Sequence, residues 1–434
     1  MISQPPAIDP IETSTAMPKA TEVVVIGGGI IGLTAALTLA ERGIPVTVVE
    51  KGRLAGEQSS RNLGWVRKTN RAALDLPLSI AADRLWAEMP QRTGRDVGFR
   101  QSGIMFTART EAELSLYSQW YENVGRENTD ARMVSAKEIA SLVPGGRENW
   151  LGGIYTASDA CAEPTMAASA IANAAIAKGA VILENCAARA LSTSGGKVSG
   201  VVTEHGEIAC QQVILASGLW SRRFLGNMGI DFPMLPLSVS VLRTAPMTGP
   251  TDIAVGGPNF SFRKDYTGGY TIMHRAALVA PITLDSLLLG TKYVSSLKAF
   301  WKAMRLELGS ELWNDIRTPR KWRNDAVTPF EATRTKNPDY NPKINAEAMQ
   351  NVAAAWPVFS GASIAMNWAG MMDMTPDSLP VIDNVDSVPG LSLATGFSGH
   401  GFGCSPAAGQ LAAEIATGVK PIVDPSPYRW NRFT

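Results

Sequence analysis

A chain of 434 residues exceeds the ~100 to 200 residues of one ordinary domain, and 40 basic against 39 acidic side chains leave no charge footprint for nucleic acid or an anionic membrane surface. The four scattered cysteines, Cys161, Cys186, Cys210 and Cys404, form no CxxC or Cys/His cluster, which argues against zinc or iron–sulfur and reads as reduced, buried thiols of a cytoplasmic protein. No apolar run approaches the ~20 residues that cross a bilayer, so a transmembrane segment is not expected and the natural partner is a small molecule.

Residues 1–20 lack the basic start and apolar stretch of a signal peptide and read as an irregular leader. TEVVVIGGGIIGLTAALTLAERGIPVTVVEK then sets a β-branched run, a glycine turn, an Ala/Leu-rich helix and a second β-branched run in order, which is a βαβ unit. From 57 to 90 the pattern is helical, GFRQSGIMFT reads as an isolated strand, and EAELSLYSQWYENVG as an amphipathic helix. MAASAIANAAIAKGAVILENCAARAL predicts a helix running into a strand, and GKVSGVVTEHGEIACQQVILASG a hairpin and a further strand, with His205 in its exposed turn. PLSVSVLRTA and the hairpin NFSFRKDYTGGYTIMHRA follow, then helices around SSLKAFWKAMRLEL. The chain ends with WAGMMDMTPDSLPVI, a strand at GLSLATG, a glycine-rich turn and a helix beginning near Pro406.

Gly27, Gly29 and Gly32 form GxGxxG between a strand and a helix. The first allows a tight turn, the second lets the main chain approach a pyrophosphate, and the third permits close helix–strand packing. The helix N-terminus, around Ile31, offers unpaired NH groups to phosphate. Glu50, with Lys51 after it, ends the second strand about 20 residues on, where a carboxylate accepts hydrogen bonds from ribose hydroxyls and repels a 2′-phosphate. These residues do not separate FAD from NAD.

With SSRNLGW, QQVILASGLWS, WAGMMDMTPDSLPVI and GFSGHGFGCSPAAGQLAAEI in that order, the chain resembles the D-amino-acid oxidase superfamily of FAD enzymes, which includes glycine and sarcosine oxidases and D-amino-acid dehydrogenases. The resemblance implies an α/β Rossmann-like FAD domain, discontinuous over 21–95, 145–235 and 350–434. An antiparallel-sheet α+β substrate domain over 96–144 and 236–349 would be inserted into it. It implies that Ser59, Ser60, Arg61 and Asn62 line the flavin phosphates and ring edge, that Ala188 meets the adenine, and that Ser217, Gly218 and Trp220 close over the cofactor. Gly396, Gly399, His400, Gly401, Phe402 and Gly403 would bend the chain so that a helix N-terminus faces the pyrimidine end of the flavin, which gains negative charge on reduction.

The implied reaction is oxidation of a C–N bond in a secondary amine or amino acid. It needs a neutral amine, a dry pocket and little protein acid–base chemistry. His274 and His400 are the candidate catalytic side chains, and Trp65 and Trp368 could bound an aromatic pocket or simply pack in the core. Where the glycine and D-amino-acid oxidase branch continues WAG with Leu-Arg-Pro, this chain has Met371, Met372 and Asp373, and a second arginine of that branch is Gly399. With both carboxylate clamps gone, Arg67, Arg263, Arg275 and Arg323 are the replacements available beside Met372, or the substrate is not a simple α-amino acid. Neither the cysteine nor the histidine that tethers flavin in some relatives is present, so FAD is expected to be non-covalent. The electron acceptor is oxygen or a redox partner, and the alternatives are a flavin subunit of a hetero-oligomeric dehydrogenase and a nicotinamide-dependent reductase.

Overall fold

The computed structural model describes residues 5–433; the first four residues of the expected leader lie outside them. β1 (Val23–Ile26), α1 (Ile30–Glu41) and β2 (Val46–Val49) form the βαβ unit read from the sequence. The side chains of β1 explain its place in the middle of a sheet. Val23 and Val25 pack toward helices, while Val24 and Ile26 pack with Val201 and Ile208 of a three-stranded antiparallel sheet, so both faces are covered. The central sheet runs in the order Val381–Asn384, Leu391–Thr395, Gln212–Leu215, β1, β2, Val181–Leu183, parallel throughout except at the Val381–Asn384 edge. The leader is irregular yet anchored, with Ser14 N donating to the Ile182 carbonyl and Ser169 Oγ to that of Asp9.

A second, ten-stranded sheet is built on Leu235–Thr244, which pairs antiparallel with Tyr270–Met273, Leu278–Pro281 and Ile364–Met374. It is mixed rather than purely antiparallel, because Ala254–Gly256 runs parallel to Ile104–Ala108, and Leu278–Pro281 to Met304–Glu307. Gly152–Thr156 and Ile364–Met374, within stretches the sequence assigned to the dinucleotide-binding domain, hydrogen-bond into this sheet instead.

Three local expectations are corrected. Residues 57–90 are not one helix: a short 3-10 turn at Gln58–Ser60 leads to strand Trp65–Val66, and the helix is Leu76–Thr93. Gly64 causes the break, because its left-handed backbone (φ 71°) lets it accept from Ala162 N, where any Cβ would strike the Ala162 carbonyl. The stretch SSLKAFWKAMRLEL is helical only to Ala303, after which Met304–Glu307 is extended and paired. The last helix starts at Gly401 rather than Pro406; the Phe402 carbonyl, which Pro406 has no NH to satisfy, accepts from Ser405 Oγ at 2.9 Å. This helix, Gly401–Thr417, lies directly on α1. Thr34 Oγ1 donates to the Ser405 carbonyl at 2.9 Å, and a Cβ on Gly409 would collide with Thr34.

Candidate active site

Between the two sheets lies a cavity of about 410 Å³ that the glycine turn, the 55–67 segment and the 397–403 loop all line. The turn is built as its sequence requires. Gly27 has φ 113°, and a Cβ on Gly32 would collide with the Gly27 carbonyl, so Gly32 packs beneath the turn without lining the cavity. A Cβ on Gly29 would meet only Ser59 Oγ, at 3.2 Å, so this residue faces open space. Ser59 Oγ also accepts from Ile30 N at 2.9 Å, fixing the start of α1. Glu50 accepts from Gly28 N and Gly52 N, each at 2.8 Å, and burial raises the pKa of its carboxyl against these bonds and Lys51.

The structure brings most of the sequence-named residues to the cavity wall: Gly27, Gly29, Ile31, Glu50, Lys51, Ser59, Arg61, Asn62, Ala188, Ser217, Gly218, Trp220, Gly399, His400, Gly401, Phe402 and Gly403. Ser60 and Gly396 stand behind it. Ser60 Oγ turns to the Glu57 carbonyl, and Gly396 N donates to Asp373 Oδ2 at 2.9 Å, shaping the loop. Lys51 donates to Glu57 Oε1 and the Arg334 carbonyl, both at 2.8 Å, and its ammonium sits 4.2 Å from the Trp220 ring centre. Arg61 is buried among neutral acceptors, the Gly56 and Ala369 carbonyls and Asn337, with Nε unpaired, so burial lowers its pKa.

At the other end, Trp65 packs edge-on against Phe106, with centroids 5.6 Å apart, and Arg67, Arg71, Arg275, Met273 and Met372 complete the wall. Arg275 Cζ is 4.6 Å and Arg67 Cζ 5.5 Å from the Phe106 centroid. Burial, then the charges of Arg71 and Arg275, hold the Arg67 guanidinium well below its usual pKa. His400 lines the same space, and burial followed by Arg71 and Arg67 keeps its imidazole well below 6.5, so it is neutral. Met372 reaches the space beside Gly399, which puts the two positions lacking the usual arginines in contact. Asp373 is bound by Gln58 Nε2 at 2.9 Å and by Gly396 N.

Other candidates do not reach the cavity. His274 lies outside it: its flanking residues Met273 and Arg275 face inward, while its ring turns away, accepting from Ala276 N and standing 3.8 Å from Glu347. Arg323 is 83% exposed and paired with Asp325, on the surface. Arg263 is consumed by a buried two-pronged bridge to Glu163, at 2.6 and 2.8 Å. Trp368 is core: its Nε1 donates to the Arg61 carbonyl at 2.9 Å and its ring packs with Val239 and Val241. The sequence reading missed Glu57, Gln58, Arg71, Phe106 and Arg334. Of these only Arg71, four residues after Arg67, had a visible signal.

Open space at Gly29, a carboxylate at Glu50 in the same wall and a helix N-terminus at Gly401 fit the two ends of a flavin dinucleotide. Among the described residues no cluster of His, Cys, Asp or Glu could hold a metal, and no helix is long and apolar enough to cross a membrane.

Comparison with known proteins agrees. The structure of L-amino acid deaminase from Proteus myxofaciens in complex with anthranilate superposes with a TM-score of 0.94 at 33% identity, covering 99% of this chain and 97% of that one. Sarcosine oxidase subunit beta of Rhodobacter capsulatus is 24% identical over 93% of this chain and 87% of its own length. Mouse mitochondrial sarcosine dehydrogenase is 22% identical over 99% of this chain, which spans only 43% of that longer protein. The family model for FAD dependent oxidoreductases matches residues 22–415, and with nearly the whole chain inside that match, this protein belongs to the FAD-dependent oxidoreductase family.

Proposed function

We propose that the chain oxidises the C–N bond of an amino acid whose carboxylate Arg275 holds at the Phe106 end of the cavity. The observation that carries this reading is the convergence of Arg67, Arg71 and Arg275 on one end of a cavity whose other end is the dinucleotide turn. It answers the loss of the usual clamps at Met372 and Gly399 with arginines from other segments. The amino-acid and sarcosine activities named for the related proteins support it. In this reading the parallel sheet holds the cofactor through Gly27–Ile31, Glu50, Ser59, Arg61, Ser217 and the 399–403 loop, and the mixed sheet presents the substrate.

Bound FAD supplies the two-electron acceptor for the hydride lost from the carbon beside nitrogen. The protein's part is positioning and protonation. The guanidinium groups that attract a carboxylate disfavour an ammonium beside it, so the amine binds in the neutral form that hydride loss requires. His400, neutral for the same reasons, adds no positive charge beside the amine, and the ammonium proton leaves to solvent as the substrate enters. Trp65, Phe106, Met273 and Met372 exclude water around the reacting carbon.

The test is anaerobic bleaching of the flavin by a panel of amino acids and of amines lacking a carboxylate. Arg275→Met is expected to weaken apparent amino-acid affinity ~30-fold or more. Fast reduction by carboxylate-free amines, unchanged in the variant, contradicts the assignment. A second reading, a flavin subunit passing electrons to a partner protein, is favoured by the exposed apolar side chains Leu287, Leu288, Phe300, Trp301 and Trp313 on the 284–317 segment. Oxygen uptake by the isolated protein at the rate of flavin reduction argues against it.

A further inference from the structure

The substrate end of the cavity carries more positive charge than one carboxylate can match. Among the described residues, no carboxylate oxygen lies within 4.0 Å of a nitrogen of Arg67 or Arg275, and Arg71 has one at that limit, Asp75 Oδ2 at 3.9 Å. The acceptors of Arg67 are the Thr69 and Asn70 carbonyls, and that of Arg275 is the Gly257 carbonyl at 3.0 Å. Asp159, the next acid of this region, is taken by Lys68 Nζ at 3.4 Å and by Lys68 N and Thr69. With Asp75 set against Arg71, two guanidinium groups remain, both half-buried, both facing Phe106 and both lining the same space. Asp159 and Asp75 act on Arg67 only from beyond contact distance, so half-buried cations with no carboxylate in contact favour a ligand that brings the anions.

Resting on the reading of Arg275 as the carboxylate partner, we infer that the substrate is dianionic: an amino acid carrying a second carboxylate, bound by Arg67, in addition to the one bound by Arg275. The second group sits either at the end of the side chain or on a substituent of the nitrogen; both present the same two charges. Val239, Val241, Met273 and Met372 line the adjoining wall and suit the apolar carbons joining them. Arg67 is then a specificity-determining residue, selecting substrates by their second charge.

The first measurement uses the unmodified holoenzyme and unreactive probes. Glutarate and pentanoate, which differ by one carboxylate, are titrated against the flavin spectrum, and glutarate is expected to bind at least ~30-fold tighter, with the advantage shrinking as salt is raised. The second is anaerobic flavin reduction by both enantiomers of norvaline, glutamine and glutamate and by N-carboxymethyl-alanine. The ratio of apparent affinities, dicarboxylate over monocarboxylate, should fall to within about threefold in Arg67→Gln. Preference for glutamate assigns the second charge to the side chain, and preference for N-carboxymethyl-alanine to the nitrogen substituent. If norvaline matches or beats both, the inference fails while the amino-acid reading stands. If nothing with a carboxylate bleaches the flavin, the amino-acid reading itself fails. If Arg67→Gln leaves the ratio intact but weakens sulfite addition to the flavin, the cation serves the cofactor and the inference is overturned.

Discussion

Replacing Arg263 by methionine separates a structural strut from a substrate clamp. Its guanidinium meets both oxygens of Glu163, at 2.6 and 2.8 Å, with side chains 4% and 6% exposed, and Nε donates to the Leu63 carbonyl. Burial alone lowers the pKa of this arginine, yet Glu163 outweighs it and leaves it raised, so the guanidinium keeps its charge. Arg263→Met strands the Glu163 carboxylate with the Tyr266 NH at 2.9 Å as its main remaining donor. Removing one partner of such a pair costs ~3 to 5 kcal/mol, whereas replacing both by apolar groups of similar volume is close to neutral. Urea unfolding of the FAD-loaded protein, followed by far-ultraviolet circular dichroism, should show that loss for Arg263→Met and recovery of most of it in Arg263→Met/Glu163→Met. A single variant within about 1 kcal/mol of the parent would mean the bridge does not form as described. Undiminished stability with lost substrate affinity would return Arg263 to the list of carboxylate clamps.

Three further outcomes are expected. Acid precipitation should release all the flavin as free FAD, since no Cys lines the cavity among the described residues and the histidine that tethers flavin in some relatives has no counterpart here; colour retained by the pellet contradicts this. Gly29→Val should fold, because the backbone there is extended (φ −74°, ψ 169°) and a Cβ meets only Ser59, but should bind little FAD, whereas Gly32→Val should fail to fold; equilibrium dialysis and circular dichroism distinguish these outcomes. Because burial and then Arg71 and Arg67 hold the His400 pKa down, the folded chain takes up this proton at lower pH than the unfolded chain, which titrates near ~6.5. Stability from this site is therefore level above about pH 6.5 and falls below it, by at most ~1.4 kcal/mol per unit, and a pH series of unfolding midpoints for His400→Gln should lack that slope.

What the sequence disclosed and what it hid follow a physical division. The glycine turn, Glu50 and the βαβ unit were legible because their geometry is local: spacing along the chain sets spacing in space. The arginines were not. Arg263 and Arg275 sit on one hairpin, and only the partner of Arg263, Glu163, a hundred residues away, removes it from contention. His274 and Arg275 are neighbours with opposite orientations, a distinction set by the phase of the strand's alternation. Helical periodicity also misled at residues 57–75, where one left-handed glycine and a two-residue strand override the apolar pattern.

The seating of the last helix on α1 also sets a timetable for biosynthesis. Thr34 and Ser405 meet across 371 residues, which at ~5 to 20 residues per second separates their emergence from the ribosome by roughly 20 to 75 s. Through that interval the nascent α1 lacks the helix that covers it, and the dinucleotide turn lacks the 397–403 loop opposite. The newborn chain thus exposes apolar surface long before it can hold its cofactor at both ends. Bulk added at Gly409, where the two helices touch, should register mainly as lost soluble yield, with the surviving molecules turning over normally.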